Sequence, residues 1–317
     1  MKRVLLTTHP TAYLKQGGGE REIHLLKRAF DAADILVDIY GPNSLPIDQY
    51  DIVIHFSMVS GSELVLRESA AAGKKMILWP NLWLVSPPTE GHLKYLQALI
   101  EIFDAFVFKS KTEEAHFKSL FRIDEKYSIN VLPLVTKSFS RKNITPVFKE
   151  SYGLDRYVIW PGIIEPQKNQ LSAIRAFREI EIPLVISGQV RDSDYYEACK
   201  REATENVVFI PEMPFASELH LSALAHSELF LELPLDFPGT SALEAAALDC
   251  KMLLSKSTWV DELIPSASQV EPTNIESIIE SVNKLAFSRI TPDSRAPKYQ
   301  TSEVDAVRGL IEYIKAF

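Results

Sequence analysis

Short apolar runs alternate with amphipathic stretches along almost the whole chain, and this limits the possible folds more than any other feature. RVLLTT, ILVDIY, DIVIHFS, KMILWP, AFVFKS and INVLPL are separated by helix-like segments such as EREIHLLKRAFDAA and GSELVLRESAAAG. Such runs read as buried strands, and the helical segments supply the crossovers that parallel strands require. The pattern stalls at SRKNITPVFKESYGLDR, a polar, proline-interrupted stretch that reads as an interdomain linker. It resumes with YVIWPG, PLVISG, VVFIPE, LFLELP and KMLLSK, interleaved with NQLSAIRAFREI, DSDYYEACKREA, SELHLSALAHS and SALEAAAL. At 317 residues the chain exceeds the usual single-domain size. Two doubly wound α/β domains in tandem are expected, over residues 1–150 and 151–317. A terminal helix within 301–317 can pack on either domain, the first included.

Charge divides the same way. Residues 1–150 carry 19 Lys+Arg against 17 Asp+Glu, a net of +2, and residues 151–317 carry 15 against 25, a net of −10. The total of −8 argues against general nucleic-acid binding. The mildly basic first half leaves a peripheral contact with anionic lipid open beside the plainer reading of a solvated surface. No apolar run reaches membrane-spanning length, and the N-terminal MKRVLLTTHP has too short an apolar segment for a signal peptide. The two cysteines, Cys199 and Cys250, have no metal-ligand spacing around them. A reduced, cytoplasmic setting without a structural disulfide is expected.

Three segments carry chemistry. In LDFPGTSALEAAALDC, Asp236 precedes an irregular turn through Pro238 and Gly239, and Glu244 follows eight residues later inside a strong helix former. Thr240 or Ser241 can cap that helix, whose unpaired amides and dipole attract an anion such as phosphate. Glu244, about one turn further in, can accept hydrogen bonds from the vicinal hydroxyls of a ribose, so the segment suits a nucleotide diphosphate sugar. A capped core helix with two solvated acids is the plain alternative. After the first strand, Gly17, Gly18 and Gly19 lie just before a helix, where glycines let backbone approach a ligand. The loop matches neither GxGxxG nor a P-loop, which removes the main support for dinucleotide or ATPase chemistry. In YVIWPGIIEPQKNQLSAIRAF, Lys168 stands where an ammonium can reach a diphosphate, and Asn169 can cap the following helix. A lone loop lysine is otherwise commonly solvated.

These pieces, in this order and over nearly the whole chain, resemble the GT-B glycosyltransferases, specifically the retaining family four. The resemblance rests on GGGE after the first strand, GIIEPQKNQ, FIPEMPFASELHLSALAHSELFLELP and DFPGTSALEAAAL. It implies two Rossmann-like domains facing a central cleft, an acceptor side in the first and a nucleotide-sugar donor site in the second. By this resemblance Asp236 and Lys168 are catalytic: Asp236 contacts the donor sugar and Lys168 binds the diphosphate and aids its departure, with no metal and no cofactor. Gly18, Gly19, Asn169, Gly239, Thr240, Ser241 and Glu244 belong to donor binding, Met213 meets the base through its backbone, and Asn81 and Trp83 lie on the acceptor side. The implied reaction moves a sugar to a glycan or lipid-linked acceptor in polysaccharide biosynthesis.

The chain also departs from the family pattern. Ile163 follows Gly162 where arginine is usual, so one diphosphate cation is missing unless Arg191 or another residue supplies it. WPNLWLVSPP places Pro80 and Asn81 where the family has a histidine, and His55 reads as an ordinary strand-end residue rather than its replacement. Asp236 stands where glutamate is usual, and Glu262 is the candidate for the family's last acidic position. These departures motivate the alternative of a non-catalytic GT-B protein that binds a nucleotide sugar or glycan as a partner subunit.

Overall fold

The computed structural model describes residues 2–14, 18–59, 61–82, 84, 88–123, 126–135, 141–288 and 302–317. The chain divides into two compact units, Met1–Val135 with Thr301–Phe317, and Thr136–Gln300.

In the first unit, β1 (Arg3–Thr7), α1 (Gly18–Ala32), β2 (Leu36–Ile39), β3 (Ile52–Phe56), α2 (Glu63–Ala71), β4 (Lys75–Trp79), α3 (Glu90–Ile100), β5 (Ala105–Phe108), α4 (Lys111–Leu120) and β6 (Tyr127–Asn130) alternate. The strands form one parallel sheet in the order β2-β1-β3-β4-β5-β6. Every residue of β3 and β5 is buried, which is why their sequences show no polar alternation. Helix α1 presents Ile23, Leu26, Ala29 and Phe30 to the core at the three-and-four spacing of one helix face.

The second unit comprises α5 (Val147–Tyr152), β7 (Val158–Pro161), α6 (Gln170–Ala176), β8 (Leu184–Ser187), α7 (Ser193–Glu202), β9 (Val207–Ile210), α8 (Glu218–Ala225), β10 (Leu229–Glu232), α9 (Thr240–Ala247), β11 (Met252–Ser255), α10 (Thr258–Leu263), β12 (Ser268–Val270) and α11 (Ile275–Ala286). Its parallel sheet runs β12-β11-β10-β7-β8-β9. Strand β12, absent from the sequence reading, is a three-residue edge strand paired only with β11.

One boundary moves, and of the two places open to the terminal helix one is taken. The presumed linker is largely part of the second unit. Phe148 on α5 is fully buried against the rings of Tyr152 and Tyr157, and its N–H donates to Ser222 Oγ on α8. Nearby, the Arg141 guanidinium donates to the carbonyls of Ala225 and Asp249, at 2.6 and 3.0 Å. The division therefore falls after Val135 rather than after residue 150. At the other end, α12 (Glu303–Ala306) and α13 (Arg308–Lys315) return to the first unit, where Val307, Leu310 and Ile314 join the core that contains Val4 and Leu6. No helix among the described residues is long and apolar enough to cross a membrane.

Candidate active site

In the second unit the strand order reverses between β7 and β10, and doubly wound sheets collect ligands at the carboxyl ends of the strands at such a point. The loops leaving these two strands are stitched together. Leu235 N–H donates to the Gln167 carbonyl at 2.9 Å, and Asn169 Nδ2 donates to the carbonyls of Leu233 and Pro272 at 3.0 and 2.9 Å. Asn169 does this from a left-handed backbone, φ 60°, a conformation that asparagine tolerates better than most residues. The stitching sets Lys168 Nζ 3.2 and 3.4 Å from the two carboxylate oxygens of Asp236, both side chains about one-fifth exposed. Burial pushes the Asp236 carboxyl above the usual aspartate range, against the opposing pull of Lys168. The loop after β8 closes on the loop after β7 so tightly that a Cβ at Gly188 would lie 1.8 Å from the Gly162 carbonyl oxygen.

A second carboxylate lies beneath the turn into α9. Glu232, the last residue of β10, is 3% exposed; it accepts the Gly239 N–H at 2.9 Å and the Ser241 hydroxyl at 3.0 Å. It thus sits at the positive end of α9. Burial raises its pKa, and Lys168 is the largest influence in the opposite direction. Glu244, one turn into α9, is 8% exposed, and its Oε2 lies 3.1 Å from Nε2 of His220 on α8, itself 5% exposed. Ser217 caps α8, accepting the His220 N–H at 3.1 Å, so the imidazole comes from a fixed first turn.

The first unit has its own polar cluster at the carboxyl ends of β4 and β5. Lys109 Nζ donates to Glu22 Oε1 and Oε2 at 3.0 and 3.2 Å and to Asn81 Oδ1 at 2.5 Å, while Asn81 Nδ2 donates to Glu22 Oε2 at 3.1 Å. Burial works to lower the Lys109 pKa, but Glu22 and Glu113 beside it outweigh this and hold it above the ordinary lysine range. Asn81 and Ser57, just beyond β4 and β3, both have positive φ, 43° and 69°. Such backbone strain is characteristic of functional sites. A Cβ at Gly19 would stand 3.8 Å from each of their side chains.

The same architecture recurs over the full length of solved proteins. HepE from Anabaena, in a crystal structure with UDP and glucose, matches all of both chains at 14% identity and a TM-score of 0.76. The GT-B fold is this chain's fold. AviGT4, a glycosyltransferase of avilamycin A biosynthesis, matches 99% of this chain and 97% of its own at 14% identity and TM-score 0.64. Sucrose-phosphate synthase from Thermosynechococcus elongatus matches 100% and 94% at 12% identity and TM-score 0.68. No family model matches the chain, and no curated protein does.

Within this GT-B chain, Lys168, Asp236, Gly239, Thr240, Ser241 and Glu244 come together at the carboxyl edge of the second sheet. Several act differently from the sequence reading. Gly239 itself is the N-cap of α9, with no side-chain cap. Ser241 does not cap because its hydroxyl turns back to Glu232, and the Gly239 amide is spent on the same carboxylate. Asn169 stands at the N-cap position of α6 but makes no side-chain cap hydrogen bond; its amide bolts the two site loops together. Met213 is buried in the loop between β9 and α8. Arg191, half exposed, pairs with Glu165 at 3.1 Å. Gly18 and Gly19 open α1 in the first unit, Asn81 lies there with its amide consumed by Glu22 and Lys109, and Trp83 lies outside the described residues. His55 is a core histidine, 2% exposed, with Nδ1 2.8 Å from Thr7 Oγ1. Both cysteines are free and buried. Sequence reasoning missed Glu232, hidden in the apolar run LFLELP, and His220, whose partner lies 24 residues away. A glutamate at the end of a fully buried strand was the available signal for the first.

Proposed function

We propose that the protein is a retaining glycosyltransferase that moves a sugar from a nucleotide diphosphate sugar to a hydroxyl of a glycan or lipid-linked acceptor. The observation that carries this reading is the Lys168–Asp236 pair at the switch point of the second sheet, with Glu244 one turn into the adjoining helix. In this reading the second unit takes the donor. Lys168 leaves Asp236 to neutralise the diphosphate as the bond between it and the anomeric carbon breaks. Asp236 faces the positive charge that develops on the sugar, and Glu244 accepts from the ribose hydroxyls. The acceptor oxygen bonds the anomeric carbon, and its proton passes to the departing diphosphate. Fixed charges near the reacting atoms and positioning of the two substrates supply the rate. No metal or cofactor enters the scheme. Gly18 and Gly19 at the start of α1 lend backbone to the donor, and the first unit serves the acceptor side through the strained Asn81, with acceptors presented in solution or from the inner membrane surface. The likeness to HepE, solved with UDP-glucose, supports a nucleotide-sugar donor.

Calorimetry against UDP, GDP, ADP and their common sugars tests this, followed by nucleotide release in the presence of glycan acceptors. Binding that requires the diphosphate and is lost in Glu244→Ala, with turnover lost in Lys168→Ala, is the expected result. Binding without turnover on any acceptor would favour a non-catalytic sugar-nucleotide binder. Absence of binding to every nucleotide overturns the proposal, and an inverted anomeric centre in the product overturns the retaining assignment.

A further inference from the structure

The pairing of Glu244 with His220 specifies more than a donor site. A carboxylate only accepts hydrogen bonds, so the imidazole Nε2 at 3.1 Å from Oε2 is the protonated nitrogen. Both side chains are more than nine-tenths buried, which makes the bond costly to leave unmade and fixes the glutamate in one rotamer. Among the described residues no hydrogen bond reaches the other oxygen, Oε1. Resting on the reading of Glu244 as the ribose contact, we propose that His220 is a positioning residue. By holding Oε2 it aims Oε1 at the sugar hydroxyls, so that the site selects ribonucleoside over 2′-deoxyribonucleoside diphosphates. A deoxy ligand leaves that oxygen desolvated and short of a donor, a loss that polar sites convert into strong discrimination, whereas a carboxylate free to rotate turns to whichever hydroxyl remains.

The test compares UDP, GDP and ADP with their 2′-deoxy counterparts by calorimetry in the intact protein, the His220→Phe variant and the His220→Gln variant. Phenylalanine keeps an aromatic ring beside Phe215, whose ring centre is 6.1 Å from that of His220, and removes the donor; glutamine supplies an amide donor of similar reach. The expected result is a preference of about tenfold or more for the ribonucleotide in the intact protein. This preference shrinks severalfold in His220→Phe and is largely retained in His220→Gln. A His220→Phe variant that weakens ribo and deoxy ligands equally, or lowers only thermal stability, overturns the positioning role. Tight binding by the intact protein without ribose discrimination overturns this inference alone; no nucleotide binding at all overturns the donor-site reading and this inference with it.

Discussion

Replacing Glu22 by glutamine keeps the shape of the first unit's polar cluster and removes its central negative charge. The carboxylate is 3% exposed and its partner Lys109 18%, with the charges 3.0 Å apart. At that separation and an effective dielectric of about 20, the direct attraction is roughly 5 kcal/mol. The ammonium keeps Asn81 Oδ1 at 2.5 Å and a favourable interaction with Glu113, so part of this is recovered. A buried charge left without its partner costs about 3–5 kcal/mol, and the residual contacts place Glu22→Gln near the lower end, about 3 kcal/mol. Glu22→Leu combined with Lys109→Met leaves no uncompensated charge and is expected to regain most of that loss, since apolar replacements of buried ion pairs are often neutral. Because two units need not unfold together, the assay is amide hydrogen exchange on peptides covering β4, β5 and α1, with the second unit as internal reference. A loss below about 1 kcal/mol in the single variant, the range of solvated surface pairs, refutes the reasoning. So does a double variant as unstable as the sum of its parts.

Gly188→Ala must displace backbone, because its Cβ would fall 1.8 Å from the Gly162 carbonyl oxygen; a loss of about 1–3 kcal/mol in the second unit's unfolding free energy is expected, with weakened nucleotide binding measured by calorimetry. His55 is held neutral, its pKa lowered to about 4 first by burial and then by His9. The folded form therefore binds fewer protons than the unfolded one between about pH 6.5 and 4. The stabilisation is complete above 6.5 and lost as pH falls through that window, up to about 2 kcal/mol between pH 7 and 5. Urea unfolding at both pH values checks this, alongside an NMR titration in which His55 stays neutral at pH 5.

Among the described residues the eight interior strands, β1, β3, β4, β5, β7, β8, β10 and β11, announce themselves as apolar runs because both faces of their sheets are covered, and the edge strands β2, β6 and β9 keep enough apolar residues to be found beside them. Strand β12 does not, since Ser268 and Gln269 form an edge with only Val270 buried. The linker reading failed for a related reason: Phe148 is the one buried residue of α5 in a stretch rich in polar residues and proline, and only its seat beside Ser222 and Tyr157 reveals that it is core. Within the site, Asp236, Glu244 and Lys168 are legible because each sits beside a loop signal. The side chains that organise them are not. Glu232 looks like strand interior, His220 meets Glu244 only when α8 and α9 are packed, and Asn169 reads as a cap until its left-handed backbone sends the amide across to β10's loop. Local spacing identifies which residues face a ligand, whereas residues that hold others in place are defined by contacts distant in sequence.

The return of α12 and α13 to the first core orders events during synthesis. Residues 136–300 form a continuous segment whose sheet and helices are all available once that segment has left the ribosome. The first unit, although made earlier, still lacks Val307, Leu310 and Ile314, and the apolar surface beside β6 and α1, against which α13 and α12 pack, stays wet until residues 302–317 follow. The half translated second is therefore expected to finish folding first, reversing the usual N-terminal-first order, and the nascent first half is the stage at which a chaperone would find exposed apolar surface.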